Sequence, residues 1–233
     1  MFTPASYRFL RQLRRNNRRD WFEAHRAEWE RVVRDPLREL VEEVDARLAT
    51  TLPEIVGDPK ASIFRIHRDV RFSPDKSPYK TWAAAWFFHR DAGRQVGTEG
   101  NGGAGFYFHL EPGGSLLGGG LWMPPKDQLA RLRDALVEDH RPLEAIVDAP
   151  AFRRRFGRLD EEAMLVRLPR GYAPGHSAER WLRYRSFTAG RAMSEAELFS
   201  HKLPDVLAKD FERLGPFVRW LNAAVGFRPA GRR

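Results

Sequence analysis

Two stretches of this sequence alternate between apolar and polar side chains, and this period of two most constrains what the chain can form. In residues 106–111 the apolar members are Phe106, Phe108 and Leu110, and the polar members are Tyr107, His109 and Glu111. Residues 61–72 show the same pattern over a longer run. Because successive side chains of a strand point to opposite faces, alternation of this kind predicts two strands that each bury one face.

The longer run carries a row of ionisable side chains. If Ala61–Phe72 forms a strand, Phe64, Ile66 and Val70 share the buried face, and Arg65, His67, Asp69 and Arg71 share the opposite face. Side chains on the same face of a strand lie roughly 6.5–7 Å apart. The following turn, Ser73-Pro74-Asp75-Lys76, adds two more charges. A row of this density is typical of a binding or catalytic surface.

The rest of the pattern predicts helices at both ends of the chain and further strands between them. Predicted helices cover residues 4–15, 21–33, 36–49, 125–138, 142–147, 151–156, 177–184 and 203–223, and further strands cover 81–89, 115–123, 164–168 and 186–193. Thr3 and Asp20 are expected to cap helices, and Ser194 with Glu197 forms a capping box. We expect the glycine-rich residues 91–105 to form a loop.

The order of these elements predicts the fold class. N-terminal helices, a central antiparallel-rich sheet and C-terminal helices are typical of an α+β protein. The 233 residues show no internal repeat and no linker, so we expect a single domain over residues 1–233.

The composition argues against several classes of protein. The chain has no cysteine, which excludes disulfides, thiolate zinc sites and a cysteine nucleophile. It has no apolar run of about 18 residues, so no membrane span or membrane partner is expected. The first residues lack the apolar segment of a secretory signal. We therefore expect a cytoplasmic protein.

The net charge of +9 comes mostly from arginine. Codon composition is one explanation, because GC-rich genes favour arginine together with alanine, glycine and proline. An anionic partner is the other, because arginine suits bidentate contacts to phosphate or carboxylate groups. The positions of the charges, and not their sum, must decide between these two explanations. On the first helix, the predicted outward-facing stripe consists of Arg8, Arg11, Arg15 and Arg18. This stripe could contact nucleic acid, although the sequence has no nucleic-acid-binding motif.

Three kinds of site are compatible with the polar residues of the predicted sheet. A metal site would use His67, Asp69, His109 and Glu111, but Arg65, Arg68, Arg71 and Lys76 flank the same place and would oppose a cation. We therefore predict no bound metal and no cofactor. Acid–base catalysis would use Asp69, His109 or Glu111. No serine lies in a nucleophile elbow.

The third kind is an anion site. Its predicted ligand-binding residues are Arg65, His67, Arg71, Lys76, Tyr79, Lys80, Tyr107, Gly118, Gly119 and Gly120. Three consecutive glycines give a strand a bare surface that a ligand can approach. The alternative is a structural ion-pair network in which Asp69 and Asp75 neutralise the cations.

Three segments of the sequence resemble the domain of unknown function 2461 family. They are FRIHRDVRFSPDKSPYKTW, FYFHLEPGGSLLGGGLWMP and LPRGYAPGHSAERWLRYRSF, within a likeness that extends from RFLRQLRRNNRRDWFEAHR to VRWLN. The resemblance implies a single-domain α+β protein and implies no particular activity. His67 stands where many relatives carry tyrosine, which argues against an essential imidazole there.

Three functions therefore stay open at the level of sequence. We expect a protein that binds an anionic, phosphate-bearing small molecule on the polar sheet face. A metal-independent hydrolase or transferase using the same face is the first alternative. A nucleic-acid-associated accessory protein using the arginine stripe is the second.

Overall fold

A five-stranded antiparallel sheet forms the centre of the protein. The structure, a computed structural model, describes residues 1–71, 74–93, 103–162, 164–172 and 174–228. The strands are β1 Ile55–Val56, β2 Ala83–His89, β3 Gly105–Leu110, β4 Leu116–Leu121 and β5 Phe187–Ala192. They follow one another across the sheet in chain order, and each neighbouring pair is antiparallel. The predicted α+β class, with helices at both ends and a central antiparallel sheet, is confirmed.

Helices precede and follow this sheet. They are α1 Pro4–Arg15, α2 Arg19–Ala24, α3 Arg26–Trp29, α4 Asp35–Leu48, α5 Lys126–Asp139, α6 Arg141–Val147, α7 Pro150–Phe156, α8 Glu179–Leu182, α9 Glu195–Leu198 and α10 Leu203–Val225. A π-helical turn, Glu30–Arg34, joins α3 to α4. Within the described residues, no helix has both the length and the apolarity that a membrane crossing requires.

The helix starts follow the predicted capping chemistry at α1 and α9 but not at α2. Thr3 forms a capping box with Ser6, and Ser194 forms one with Glu197. The predicted cap at Asp20 is wrong, because Arg18 occupies the N-cap position of α2. Asp20 lies in the first turn, where its negative charge still interacts favourably with the helix dipole.

The predicted break before Pro36 is bridged by the π-helical turn. Proline has no N–H group, and its ring crowds the preceding turn of an α-helix. Here the backbone N–H of Asp35 bonds to the carbonyl of Glu30, five residues back. This wider turn accommodates the proline, so α3 leads into α4 without a loop.

One face of the sheet packs against the helices and forms the core. The ring of Phe211 in α10 stacks on Phe106 of β3, with centroids 4.7 Å apart, and also contacts Phe87 of β2. Phe106, Phe108 and Leu110 are fully buried, as the alternation predicts. The helices therefore cover the face that carries these residues, and the opposite face carries Tyr107 and His109.

A buried carboxylate fixes α10 to the last strand. Asp210 of α10 is fully buried and accepts two hydrogen bonds from Arg155, each 2.7 Å long. It also accepts one bond from Arg191 of β5 and one from Arg213. Burial raises the pKa of Asp210, but the bonds from Arg155 and Arg191 outweigh that effect and hold the pKa below its usual value.

Residues 61–71 form an irregular segment at the edge of the sheet, not the continuous strand that the alternation predicts. Isolated bridges pair Ile63 with Ala85 of β2 and His67 with Tyr79. The segment therefore pairs first with β2 and then, after the chain folds back through residues 74–78, with the residues that follow this turn. Phe72 and Ser73, part of the predicted strand and turn, lie outside the described residues.

The two faces of this edge segment still differ in exposure. Arg65, His67, Asp69 and Arg71 are exposed, whereas Phe64, Ile66 and Val70 are only half-buried. The prediction that these three apolar residues are buried is therefore only partly correct. A segment that joins the sheet through isolated bridges has few neighbours to cover it.

Two predictions in the C-terminal half are wrong in extent. Residues 164–168 form no strand, and their backbone N–H groups bond locally from Met164 to Glu161 and across to Arg183 from Leu165. The helix predicted over residues 177–184 is limited to the four residues of α8. Short apolar runs do not distinguish a strand from a packed loop, because both bury the same side chains.

Candidate ligand-binding site

The face of the sheet that carries Tyr107 and His109 bears a cleft with a floor of glycine. In the register of the sheet, Gly118 of β4 lies between Tyr107 of β3 and Gly190 of β5. Gly120 lies between Gly105 and Thr188. Glycines on neighbouring strands leave the backbone bare, so a flat molecule can lie directly against the sheet.

Gly120 shows why the floor requires glycine. Its φ of +135° is a conformation that side chains disfavour, and a Cβ atom there would lie 2.0 Å from the carbonyl oxygen of Phe187. No side chain can relieve this contact, because the obstacle is backbone. The glycine is therefore required by the close approach of β4 and β5, and the bare floor is its consequence.

Aromatic side chains form the walls of the cleft, which has a volume of about 900 Å³. Phe64, Trp82, Trp86, Tyr107 and Trp122 line it. The ring of Trp122 is 56% exposed, although large apolar side chains are usually covered. This volume falls within the range of small-molecule sites, which combine apolar walls with a few polar groups.

The polar and charged side chains that line the cleft have partners within the protein. The hydroxyl of Tyr7 is 2.6 Å from Oγ of Ser115, and Thr188 donates to Asp160. Glu195 pairs with Arg11 at 3.7 Å, and Arg191 is bonded to Asp210 and Glu197. Because these groups are engaged within the protein, the cleft suits a ligand that is mostly apolar.

A chain of hydrogen bonds runs along β3 away from the cleft. The hydroxyl of Tyr107 is 2.9 Å from Nδ1 of His109, whose Nε2 is 3.1 Å from Oε2 of Glu111. The guanidinium of Arg14 in α1 donates to the other oxygen of Glu111 at 2.5 Å. Trp82 packs on the His109 ring, with centroids 5.0 Å apart. Burial, with a smaller contribution from the charge of Glu111, raises the pKa of Tyr107 to about 12.

The third predicted catalytic residue, Asp69, lies in a different place. Its carboxylate accepts hydrogen bonds from the side chain and the backbone of Arg71, and both groups are exposed. The side-chain bond from Arg71 is the main cause that lowers the pKa of Asp69 to about 2. Of the three predicted acid–base residues, the structure therefore brings only His109 and Glu111 together.

Lys76 in the predicted turn and Arg68 before it also have partners. Arg68 donates to Asp75 and to Ser77. The ammonium of Lys76 donates to the carbonyl oxygen of Val70 at 2.9 Å. These contacts order the turn after the edge segment, which is the structural role that the sequence left open as an alternative.

Lys80 connects the edge segment to the aromatic walls. Its Nζ donates to the carbonyl oxygen of Arg65 and lies 4.9 Å from the ring centroid of Trp82 and 5.5 Å from that of Phe64. Burial, followed by the charge of Arg65, lowers the pKa of Lys80. An ammonium group therefore stands beside two rings that line the cleft.

Two other predicted ligand-binding residues, Tyr79 and His67, lie elsewhere, and a third, Gly119, lines the cleft only through its backbone. Tyr79 is buried against Phe22, with centroids 4.2 Å apart, and its backbone is held by the side-chain amide of Asn17. His67 is exposed and packs beside Tyr79. At Gly119 the position of a Cβ atom faces the core, where it would lie 2.7 Å from the ring of Phe106.

A smaller groove of about 200 Å³ adjoins the cleft and has a basic lining. Phe64 and Trp82 line both spaces. Arg38, Lys60 and Arg65 line only the groove, and none of these three makes an ion pair with the described part of the chain. Arg65 is thus a predicted cation that remains available to an anion.

Only three of the four predicted stripe residues, Arg8, Arg11 and Arg15, lie on α1, because Arg18 lies beyond its end at the N-cap of α2. Arg11 pairs with Glu195, which lines the cleft, and Arg18 pairs with Asp20. Arg8 and Arg15 are exposed. Nucleic-acid binding by this face stays a prediction. Among the described residues, no group of three or more histidine, aspartate or glutamate side chains could hold a metal ion.

Sequence reasoning did not identify most of the side chains that form the walls of the cleft. Tyr7, Trp82, Trp86, Trp122 and Thr188 were not predicted as site residues, yet all of them line the cleft. A signal was present for Trp122, because the period of two continues from Gly118 and Gly120 to Trp122 and so predicts the same face for all three. The other four depend on strand register and on how α1 packs.

Comparison with known proteins gives one family and no individual relative. No curated protein and no solved structure matches the chain. A family model matches residues 5–220, which is nearly the whole chain and includes every side chain of the cleft. The chain therefore belongs to the family described as conserved hypothetical protein (DUF2461).

Proposed function

We propose that this protein binds a small organic molecule in the cleft on the open face of the sheet. The ligand has a flat apolar body that lies on the glycine floor between the tryptophan side chains, and it carries a hydrogen-bonding group near Tyr107. The observation that supports this proposal is the cleft itself, with its bare floor beside Gly118 and Gly120 and an aromatic wall. Contact with a ligand would also explain why Trp122, which lines the cleft, is exposed.

A ligand with an anionic group is a second candidate, and the basic groove favours it. The groove adjoins the cleft through Phe64 and Trp82, so one ligand could reach both spaces. Arg65 and Lys60 would then contact a phosphate or carboxylate. This candidate retains Arg65 from the predicted anion site, whereas Arg71 is already engaged with Asp69.

Two matched probes distinguish these candidates. We expect 2-naphthol to bind with a dissociation constant in the millimolar range or tighter, on the order expected for a fragment of its size. Calorimetry or saturation-transfer NMR would measure this binding. If the second candidate is correct, 2-naphthyl phosphate binds more tightly than 2-naphthol, and the difference falls in Arg65→Gln and at high salt. Equal affinities would exclude the anionic candidate.

Two exposed apolar residues provide the control variants. Leu116 lines the cleft and is 38% exposed, whereas Val137 lies on α5, away from the lining, and is 37% exposed. Leu116→Glu should weaken 2-naphthol binding about tenfold, because a charge replaces apolar contact surface. Val137→Glu should leave it unchanged. If neither variant changes the affinity, the probe binds elsewhere and the proposal fails.

The cytoplasmic location is part of this proposal. It rests on the cysteine-free composition, which suits a reducing compartment. Fractionation of cells that express the full chain would test it.

A further inference from the structure

The hydrogen-bond chain from Tyr107 to Glu111 has a defined direction of donation. An ionised carboxylate can only accept, so Nε2 of His109 carries a hydrogen and donates to Glu111. In a neutral imidazole the other nitrogen then has a lone pair. Nδ1 of His109 therefore accepts from the hydroxyl of Tyr107. The bond from Arg14 fixes the second oxygen of Glu111, which holds the carboxylate in position.

This order matches the arrangement that activates a hydroxyl nucleophile. A hydroxyl group bonded to a histidine, which is bonded in turn to a carboxylate, can lose its proton to the imidazole as it attacks. The carboxylate stabilises the imidazolium that forms. A phenol with a pKa near 12 stays protonated at neutral pH, so Tyr107 needs such a base in order to react.

Tyr107 is also the member of this chain that lines the cleft. In the register of the sheet Tyr107 pairs with Trp86 of β2 and Gly118 of β4, and its ring contacts Phe64 edge-on, with centroids 6.0 Å apart. His109 and Glu111 do not line the cleft and are reached through the phenol. A molecule on the glycine floor would therefore contact Tyr107 before the other two members of this chain.

We propose that Tyr107 is a catalytic nucleophile, with His109 as its base, and that the substrates are small esters with an apolar body. This inference rests on the proposed function, because the ester must bind in the cleft. Glu111 and Arg14 are positioning residues, since they act through His109.

The reaction balances without any further reactant except water. Oη of Tyr107 attacks the acyl carbon while the phenolic proton passes to Nδ1 of His109. The bond from the acyl carbon to the alcohol oxygen breaks, and His109 returns the proton to the departing alcohol. Water then gives a proton to His109 and attacks the acyl group, and the phenolate leaves and recovers that proton. The products are the alcohol, the carboxylic acid and the unchanged enzyme.

A second tyrosine provides an internal control. Tyr7 lines the same cleft, and burial raises its pKa as well, although the bond from Ser115 opposes this effect. Its hydroxyl is bonded to the hydroxyl of Ser115, not to a base. If burial in the cleft were enough for reactivity, Tyr7 and Tyr107 would react alike.

The test uses the full chain and two reagents with a flat or apolar body. Phenylmethanesulfonyl fluoride should form a covalent bond between its sulfur and Oη of Tyr107, with loss of fluoride and transfer of the phenolic proton to His109. 4-Nitrophenyl acetate should release a burst of 4-nitrophenolate. Peptide mass spectrometry of the wild-type protein would locate the adduct, so the result does not depend on any variant folding.

Variants then identify the base. Tyr107→Phe should abolish the adduct and the burst, and Tyr172→Phe, at a tyrosine outside the cleft lining, should leave both unchanged. His109→Gln should slow adduct formation by about a hundredfold or more, because it keeps a polar side chain but removes the base. An adduct on Tyr7, an adduct on no tyrosine, or an undiminished rate in a folded His109→Gln protein would each overturn the proposal.

The two proposals fail in different ways. If 2-naphthol binds in the cleft but Tyr107 forms no adduct, the binding proposal stands and the catalytic one is wrong. If Tyr107 reacts but 2-naphthol neither binds nor slows the labelling, the proposed ligand class is wrong, and with it the ester substrates.

Discussion

Replacing Asp210 with asparagine is expected to destabilise the protein far more than the same change five residues earlier. Asp210 is fully buried and accepts four hydrogen bonds, from Arg155, Arg191 and Arg213. Asparagine keeps the size of the side chain but removes the charge. Three guanidinium groups would then share a neutral amide at the junction of α7, β5 and α10.

The three arginines differ in how readily they can find water or another partner once the carboxylate is lost. Breaking a buried ion pair by removing one partner costs about 3–5 kcal/mol. Arg155 and Arg213 are 36% and 56% exposed and can turn toward water, whereas Arg191 is only 14% exposed. Arg191 keeps its bond to Glu197. We therefore expect the lower end of the range, about 3 kcal/mol, which corresponds to a fall in Tm of roughly 6–12 °C for a chain of this size.

The matched control is Asp205→Asn on the same helix. Asp205 also pairs with an arginine, Arg47, but it is 52% exposed, and exposed pairs contribute little to stability. Urea unfolding followed by circular dichroism would compare both variants with the wild type. If Asp210→Asn lowers the free energy of unfolding no more than Asp205→Asn does, the buried network does not stabilise the fold as we describe.

Two further predictions concern the glycine floor and the pH dependence of stability. Gly120→Ala should destabilise the protein more than Gly113→Ala. Both glycines have positive φ, but only at Gly120 would a Cβ atom collide with backbone. Thermal unfolding of both variants would check this, and an equal fall in Tm would refute the steric argument. Because the folded-state pKa of Asp210 lies below its unfolded value of about 3.9, its contribution should be complete above that pH and disappear as the pH falls through the folded value. The difference in unfolding free energy between wild type and Asp210→Asn should therefore narrow below about pH 4, and a difference that stays constant there would contradict this assignment.

The sequence predicts the sheet well where one strand's own alternation decides the outcome. Residues 106–111 have their apolar members buried and their polar members on the open face, because β3 has a neighbour on each side and helices over one face. The same logic brings Tyr107, His109 and Glu111 into one hydrogen-bonded chain, and it places Gly118 and Gly120 beside them.

The sequence does not predict the walls of the cleft, because they depend on long-range pairing. Trp86 reaches the cleft only because the register of β2 sets it opposite Tyr107. A shift of one residue would turn Trp86 toward the core. Tyr7 reaches the cleft from α1, more than a hundred residues away in sequence from Ser115.

The row of ionisable residues at the edge of the sheet predicted a ligand-binding surface, but the structure shows that part of the row forms an internal ion pair. Arg71 and Asp69 are two residues apart on one face, which is also the spacing at which a carboxylate can bind its own neighbouring guanidinium. Alternation places both side chains on the same face but does not tell whether they bind a ligand or each other. In the structure they bind each other, and Arg65 is left facing the smaller groove.

The central claim is that the cleft beside the glycine floor binds a flat apolar ligand, and one measurement tests it most directly. Crystals of the protein soaked with 6-bromo-2-naphthol would show the bromine by its anomalous scattering. We predict a bromine peak above Gly118 and Gly120, between Trp86 and Trp122, with the hydroxyl of the probe near Tyr107. A well-occupied peak elsewhere, with the cleft empty, would contradict the account.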